Sequence, residues 1–116
     1  MTDSLHDLRD ALRLFAAERD WDQFHSPRNL ATALAVEAAE LLEPFQWLGE
    51  AESRELPAAT RAAVEEEMAD VLLYLVRLAD KLGVDLLEAA RTKMMRNAGK
   101  YPVEKARGSS RKYDEL

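Results

Sequence analysis

Apolar residues recur at spacings of three and four along nearly the whole chain, and no segment alternates apolar with polar residues. That rhythm lines up side chains on one face of an α-helix and gives a strand no buried side. Leu5, Leu8, Leu12 and Phe15 predict a first helix over roughly residues 4–18. Asp20 to Ser26 breaks the pattern. Ser26-Pro27 then reads as an N-cap followed by proline at the first helical position, opening a second helix that runs toward Trp47. Pro44 lacks a backbone donor and should kink or end that helix late. Gly49 to Pro57 reads as a polar connection. Pro57 opens a third, longest helix through Val64, Met68, Val71, Leu72, Leu75, Val76 and Leu82, with Gly83 suited to its left-handed end. Asp85 caps a fourth helix holding Leu86, Leu87, Ala90 and Met94. The expectation is an all-α, four-helix bundle as one domain over 1–103, followed by a polar tail at 104–116 that is flexible or docked on a partner.

Inside two of these apolar stripes sit pairs of acids. The second helix reads Leu30, Leu34, Glu37, Glu40, Leu41, and the third reads Val64, Glu67, Asp70, Val71, Tyr74, Leu78. Each pair is spaced i, i+3 and shares a helical face. Carboxylates in an apolar stripe are costly to desolvate unless a positive group joins them. The 26 residues between Glu40 and Glu67 suffice to finish one helix, turn, and return the second pair antiparallel to the first. Glu43, Glu65 and Glu66 lie off the stripes and read as solvated.

A metal ion is the simplest such positive group. The chain has no cysteine, which removes thiolate-bound zinc and iron–sulfur sites along with disulfides. A di-iron carboxylate bundle needs Glu-x-x-His, and neither His6 nor His25 follows a glutamate by three positions. An all-oxygen donor set favours Mg²⁺, with Mn²⁺ as substitute. A net charge of −6 argues against polymeric nucleic acid as partner, although it does not exclude a nucleotide. No apolar run is long enough to span a bilayer, and MTDSLHDLRD has neither a basic nor an apolar leader region, so the expected address is cytoplasmic.

E-x-x-E, a spacer and E-x-x-D do not stand alone. Residues 17–25 read AERDWDQFH and 26–30 SPRNL; EAAEL begins at Glu37, FQW at Phe45, EEMADVLLYL at Glu66, and KMMRN at Lys93 with KYP at Lys100. In this combination the chain, over about residues 5–103, resembles the MazG-like all-α nucleoside triphosphate pyrophosphohydrolases, and within them the dCTP pyrophosphatase branch. Val36 and Ala39 stand where that family usually has glycines, and Pro44 where it has a helix former.

The resemblance implies Mg²⁺-dependent hydrolysis of a nucleoside triphosphate, dCTP or a modified dCTP, to the monophosphate and pyrophosphate. It implies that Glu37, Glu40, Glu67 and Asp70 hold the metal, and that Lys93, Asn97, Lys100 and Tyr101 meet the phosphates. It assigns Trp21, His25, Asn29 and Trp47, with Tyr74 adjoining, to the base, and it implies a homodimer or homotetramer. Phosphoryl transfer asks for positioning and charge neutralisation, so water attack with Glu37 or Glu40 handling the proton suits these residues. Two rivals stay open: the same fold with a preference for dUTP or a damaged purine triphosphate, and a non-catalytic helical oligomerisation module.

Overall fold

The structure is a computed structural model that describes residues 4–116. It is all-α; among the described residues there is no strand. The helices are α1 (Leu5–Glu18), α2 (Pro27–Leu42), α3 (Glu50–Arg54), α4 (Ala58–Leu82), α5 (Leu86–Lys100) and α6 (Val103–Ala106). Short 3-10 turns occupy Asp22–Phe24, Glu43–Phe45 and Tyr113–Glu115. The chain divides into two compact units, one ending at Gly83 and one spanning Val84–Leu116. None of the described helices is long and apolar enough to cross a membrane.

Helix ends follow the expected chemistry where a capping residue is present. The Ser4, Ser26 and Asp85 side chains accept from the backbone N–H of Asp7, Asn29 and Glu88, each satisfying a donor that a first turn leaves free. Gly83 ends α4 at φ +68°, a conformation glycine adopts without steric cost. The end of α1 uses Asp20 at φ +54° instead, a residue type that tolerates the left-handed region. There the Trp21 N–H returns to Ala16 O (2.9 Å) and the Asp20 N–H to Ala17 O (3.2 Å), a Schellman closure.

Two expectations need correction. The second helix does not reach Trp47: α2 stops at Leu42, and Pro44 lies in a separate 3-10 turn. Its ring excludes the helical hydrogen bond at that point, so the break comes at the proline rather than after it. The connection after Gly49 is not wholly irregular either. Glu52 reaches back to accept from the Gly49 N–H (3.3 Å), and this local bond opens the five-residue α3. The polar tail also has structure within the second unit: Tyr113 meets Tyr101 edge to face at 6.1 Å, and the Lys100 ammonium lies 4.8 Å from the Tyr113 ring centre.

In the first unit α2 and α1 both pack on α4, and Ala16, Leu30, Val64, Val76 and Ala79 are buried between them. Glu40, Glu43 and Pro44 share a groove with Ala59, Thr60, Ala63 and Glu67, so the late turns of α2 lie beside the early turns of α4. This is the antiparallel pairing that the spacer length predicts, and it brings the two acid stripes face to face.

Candidate metal centre and adjoining cavity

Glu37 from α2 and Glu67 and Asp70 from α4 each direct a carboxylate oxygen so that all three oxygens lie within 4.8 Å of one another. Oε2 of Glu37 and Oε2 of Glu67 are cut off from solvent and have no hydrogen-bond partner. Buried polar atoms in folded proteins are almost always paired, so two orphaned carboxylate oxygens in one place call for a missing positive group. The donors are all hard oxygens, which fits a divalent cation of the magnesium type.

Protonation tells the same story. Glu37 is pushed up to about 7, first because its carboxyl can share a proton with Glu40, then by loss of water, and further by the charges of Glu40, Asp70 and Glu67. Glu67 is raised as well, chiefly by desolvation and then by the charge of Glu40. Glu40 thus sits against both, although it stands outside the converging trio. The four predicted acids form one cluster.

Asp70 is also at the edge of a cavity of about 250 Å³. Its walls are Leu12, Phe15, Ala16, Trp21, His25, Leu73, Tyr74 and Arg77. The Schellman turn at Asp20 throws Trp21 back along α1, where its ring meets Phe15 edge to face at 5.7 Å. Asp70, Tyr74 and Arg77 are spaced four and three, so one face of α4 carries them all to this cavity.

The structure therefore gathers Trp21, His25 and Tyr74 beside the acids, but not every residue assigned to the base. Asn29 donates its Nδ2 to Phe24 O at 2.9 Å and ties down the preceding loop instead. Trp47 is 87% exposed and lines no part of this cavity. Lys93, Asn97, Lys100 and Tyr101 lie on or just past α5 in the second unit. There Lys93 borders a shallow groove with Asp85, Glu88, Thr92 and Arg96, and the Tyr101 N–H bonds Asn97 O at 2.8 Å.

Arg77 is the residue that the sequence reading passed over. Its side chain is 7% exposed and lies among Asp22, Asp80 and His25. A signal for it existed: a lone cation in the run Leu75-Val-Arg-Leu78, on the same face as Asp70 and Tyr74. Around it, Arg13 donates Nε to Asp80 at 2.7 Å, and Lys81 pairs with Asp22. Asp80 is held below the usual carboxylate range first by its bond to Arg13, and Asp22 first by its bond to Lys81. His25 is held low too, by burial and then by the Arg77 charge.

Known proteins resemble the chain in sequence and in fold. A model of the MazG-like family matches residues 32–116. The chain is 51% identical to dCTP pyrophosphatase 1 of Homo sapiens and 50% identical to that of Mus musculus, in each case over 97% of this chain and 68% of the relative. Among solved structures, it is similar to the crystal structure of a pyrophosphatase from Archaeoglobus fulgidus DSM 4304. That match has a TM-score of 0.81 and 42% identity, covering 88% of this chain and 95% of the other.

Proposed function

The chain belongs to the MazG-like family, its enzyme class is that of the nucleoside triphosphate pyrophosphohydrolases, and we propose that it hydrolyses dCTP or a modified dCTP with Mg²⁺. The products are the monophosphate and pyrophosphate, and the setting is the nucleotide pool of the cytoplasm. The observation that carries the metal assignment is the pair of orphaned, buried oxygens on Glu37 and Glu67 within reach of Asp70. The name shared by the mammalian relatives carries the base.

Glu37, Glu67 and Asp70 would hold the cation, with Glu40 completing the acid set. When bound, the ion supplies charge neutralisation at the phosphate oxygens and a template for in-line attack. The rest falls to the protein. Glu40, outside the trio but beside Glu37, is the carboxylate left to orient a water and accept its proton. No serine or cysteine stands beside a histidine base among the cavity residues, which favours direct attack by water over a covalent intermediate. Trp21 and Tyr74 offer ring faces to a base, and the largely apolar walls exclude water around it. Lys93, Asn97, Lys100 and Tyr101 are assigned to the phosphates, lysine as a point charge and asparagine as a donor.

The assembly is a homo-oligomer in this reading. Met68, Leu72, Leu75 and Leu82 leave an apolar face of α4 open, and Val36, Leu42 and Trp47 are exposed as well. So much apolar surface on one chain marks an interaction face, and a second copy covers it in a dimer or tetramer.

The test is a panel of ribo- and deoxyribonucleoside triphosphates with Mg²⁺, the products analysed for pyrophosphate against orthophosphate. Pyrophosphate release with dCTP or a modified dCTP as best substrate is the expected result. Preference for dUTP or a purine overturns the base assignment, and no hydrolysis of any triphosphate overturns the reaction.

A further inference from the structure

We propose that Arg77 is a positioning residue that fixes His25 as its Nε2–H tautomer. The cavity then offers a base a hydrogen-bond donor and prefers cytosine, whose ring N3 accepts, over uracil, whose N3 donates. The proposal rests on the reading of this cavity as the base site of a pyrimidine triphosphate hydrolase, and it gives that site a rule for choosing its base.

The argument starts from a group with no choice of role. A guanidinium is always protonated and has no acceptor, so the 3.1 Å contact between Arg77 Nε and His25 Nδ1 has Arg77 donating. A ring nitrogen that accepts carries no proton, and a neutral imidazole then keeps its single proton on Nε2. Arg77 cannot easily turn away. Its two terminal nitrogens are engaged by Asp22 and Asp80, and the side chain is almost wholly buried. Burial and the Arg77 charge together keep a second proton off His25. Among the described residues the Nε2–H has no hydrogen-bond partner.

The consequence lies in what the ring would do without Arg77. A free imidazole can move its proton to Nδ1 and present a lone pair at Nε2, which accepts from the N3–H of uracil. With Nδ1 committed to Arg77, that option is gone. A uracil held with its N3 at that point meets a donor with a donor, and among the cavity's side chains only the Tyr74 hydroxyl and the Asp70 carboxylate, the latter assigned to the cation, accept hydrogen bonds at all. Leaving such groups unpaired is what makes a hydrogen-bonding site reject an isosteric ligand.

Two measurements test this. In protein labelled with ¹⁵N-histidine and free of nucleotide, the His25 ring should show a bare, accepting Nδ1 and a protonated Nε2. In Arg77→Met the two tautomers should interchange. With Mg²⁺ present, the ratio of kcat/KM for dCTP to that for dUTP should fall about tenfold in Arg77→Met, the value of one mispaired hydrogen bond. In a His25→Ala background, Arg77→Met should shift the ratio no further. An Nε2–H tautomer that persists in Arg77→Met overturns the proposal. So does an equal loss on both bases, or a shift in the ratio that survives in His25→Ala. Arg77→Met leaves Asp80 with Arg13 and Asp22 with Lys81, so no acid loses its last partner. Should that variant still not fold, the wild-type ring spectrum and the ratio in His25→Ala decide the matter. If the wild type hydrolyses neither triphosphate, the functional reading fails, while the ring spectrum still reports on the tautomer.

Discussion

The middle and the C-terminal end of α4 treat carboxylates in opposite ways. At its middle, Glu67 and Asp70 meet Glu37, and among the described residues no lysine or arginine forms an ion pair with them. Toward its end, Asp80 and the neighbouring Asp22 are matched by Arg13, Arg77 and Lys81. Protonation divides along the same line, with Glu37 and Glu67 raised and Asp22 and Asp80 lowered. One cluster is complete within the protein, so it is architecture. The other has no cation beside it among the described residues, and it is the cluster we assign to a metal ion from outside.

Breaking the open cluster has the largest effect. Glu67→Gln or Asp70→Asn should reduce pyrophosphate release at least about a hundredfold, the scale of removing a single group that organises charge in a transition state. The metal-free melting temperature should hold or rise, because a like charge has gone; a fold lost by circular dichroism would place these acids with the architecture instead. The phosphate assignment should show next, as Lys93→Ala and Lys100→Ala each raising KM for the triphosphate about tenfold. Unchanged KM in both variants would return these residues to the role of cations at a helix C-terminus.

Breaking the closed end should cost stability. Asp80→Asn takes a carboxylate from Arg13 and the buried Arg77 and should lower unfolding free energy by about 2 kcal/mol in a urea titration. A neutral result there would mean that Lys81 and Asp22 carry the network alone.

The smallest effect sharpens the contrast through pH. Glu37 titrates near 7 in the folded chain against an ordinary value of 4.5, so between these values the folded state binds more protons than the unfolded one. Stability of the metal-free protein from this group should therefore fall as pH rises from about 4.5 to 7 and level off above. Asp22 and Asp80, held low, contribute stability above 3.8 that is lost only as pH drops through their lowered folded values. A melting temperature that instead climbs between pH 5 and 7 in the absence of metal would contradict the raised Glu37.

Much of this was legible in the residues because it depends on local rules. The i, i+3 spacing placed Glu37 with Glu40 and Glu67 with Asp70, and serine, aspartate and glycine marked the helix ends. What escaped depends on contacts between distant segments. Arg77 reads as an interruption of an apolar run until α1 and the loop at Asp22 bring it partners. Trp47 looks like a pocket residue by its motif, yet its position hangs on the break at Pro44, and in the structure it lies open. Asn29 has the chemistry to read a base, but the backbone at Phe24 claims its amide.

The central claim is that the acids at the middle of α4 await a divalent cation. Calorimetric titration of Mg²⁺ at pH 8, in the presence of a non-hydrolysable dCTP analogue, tests it most directly. The account predicts saturable binding to the wild type, with a rise in melting temperature, and neither effect in Asp70→Asn. Equal responses from the two proteins, or a flat trace from both, would contradict it.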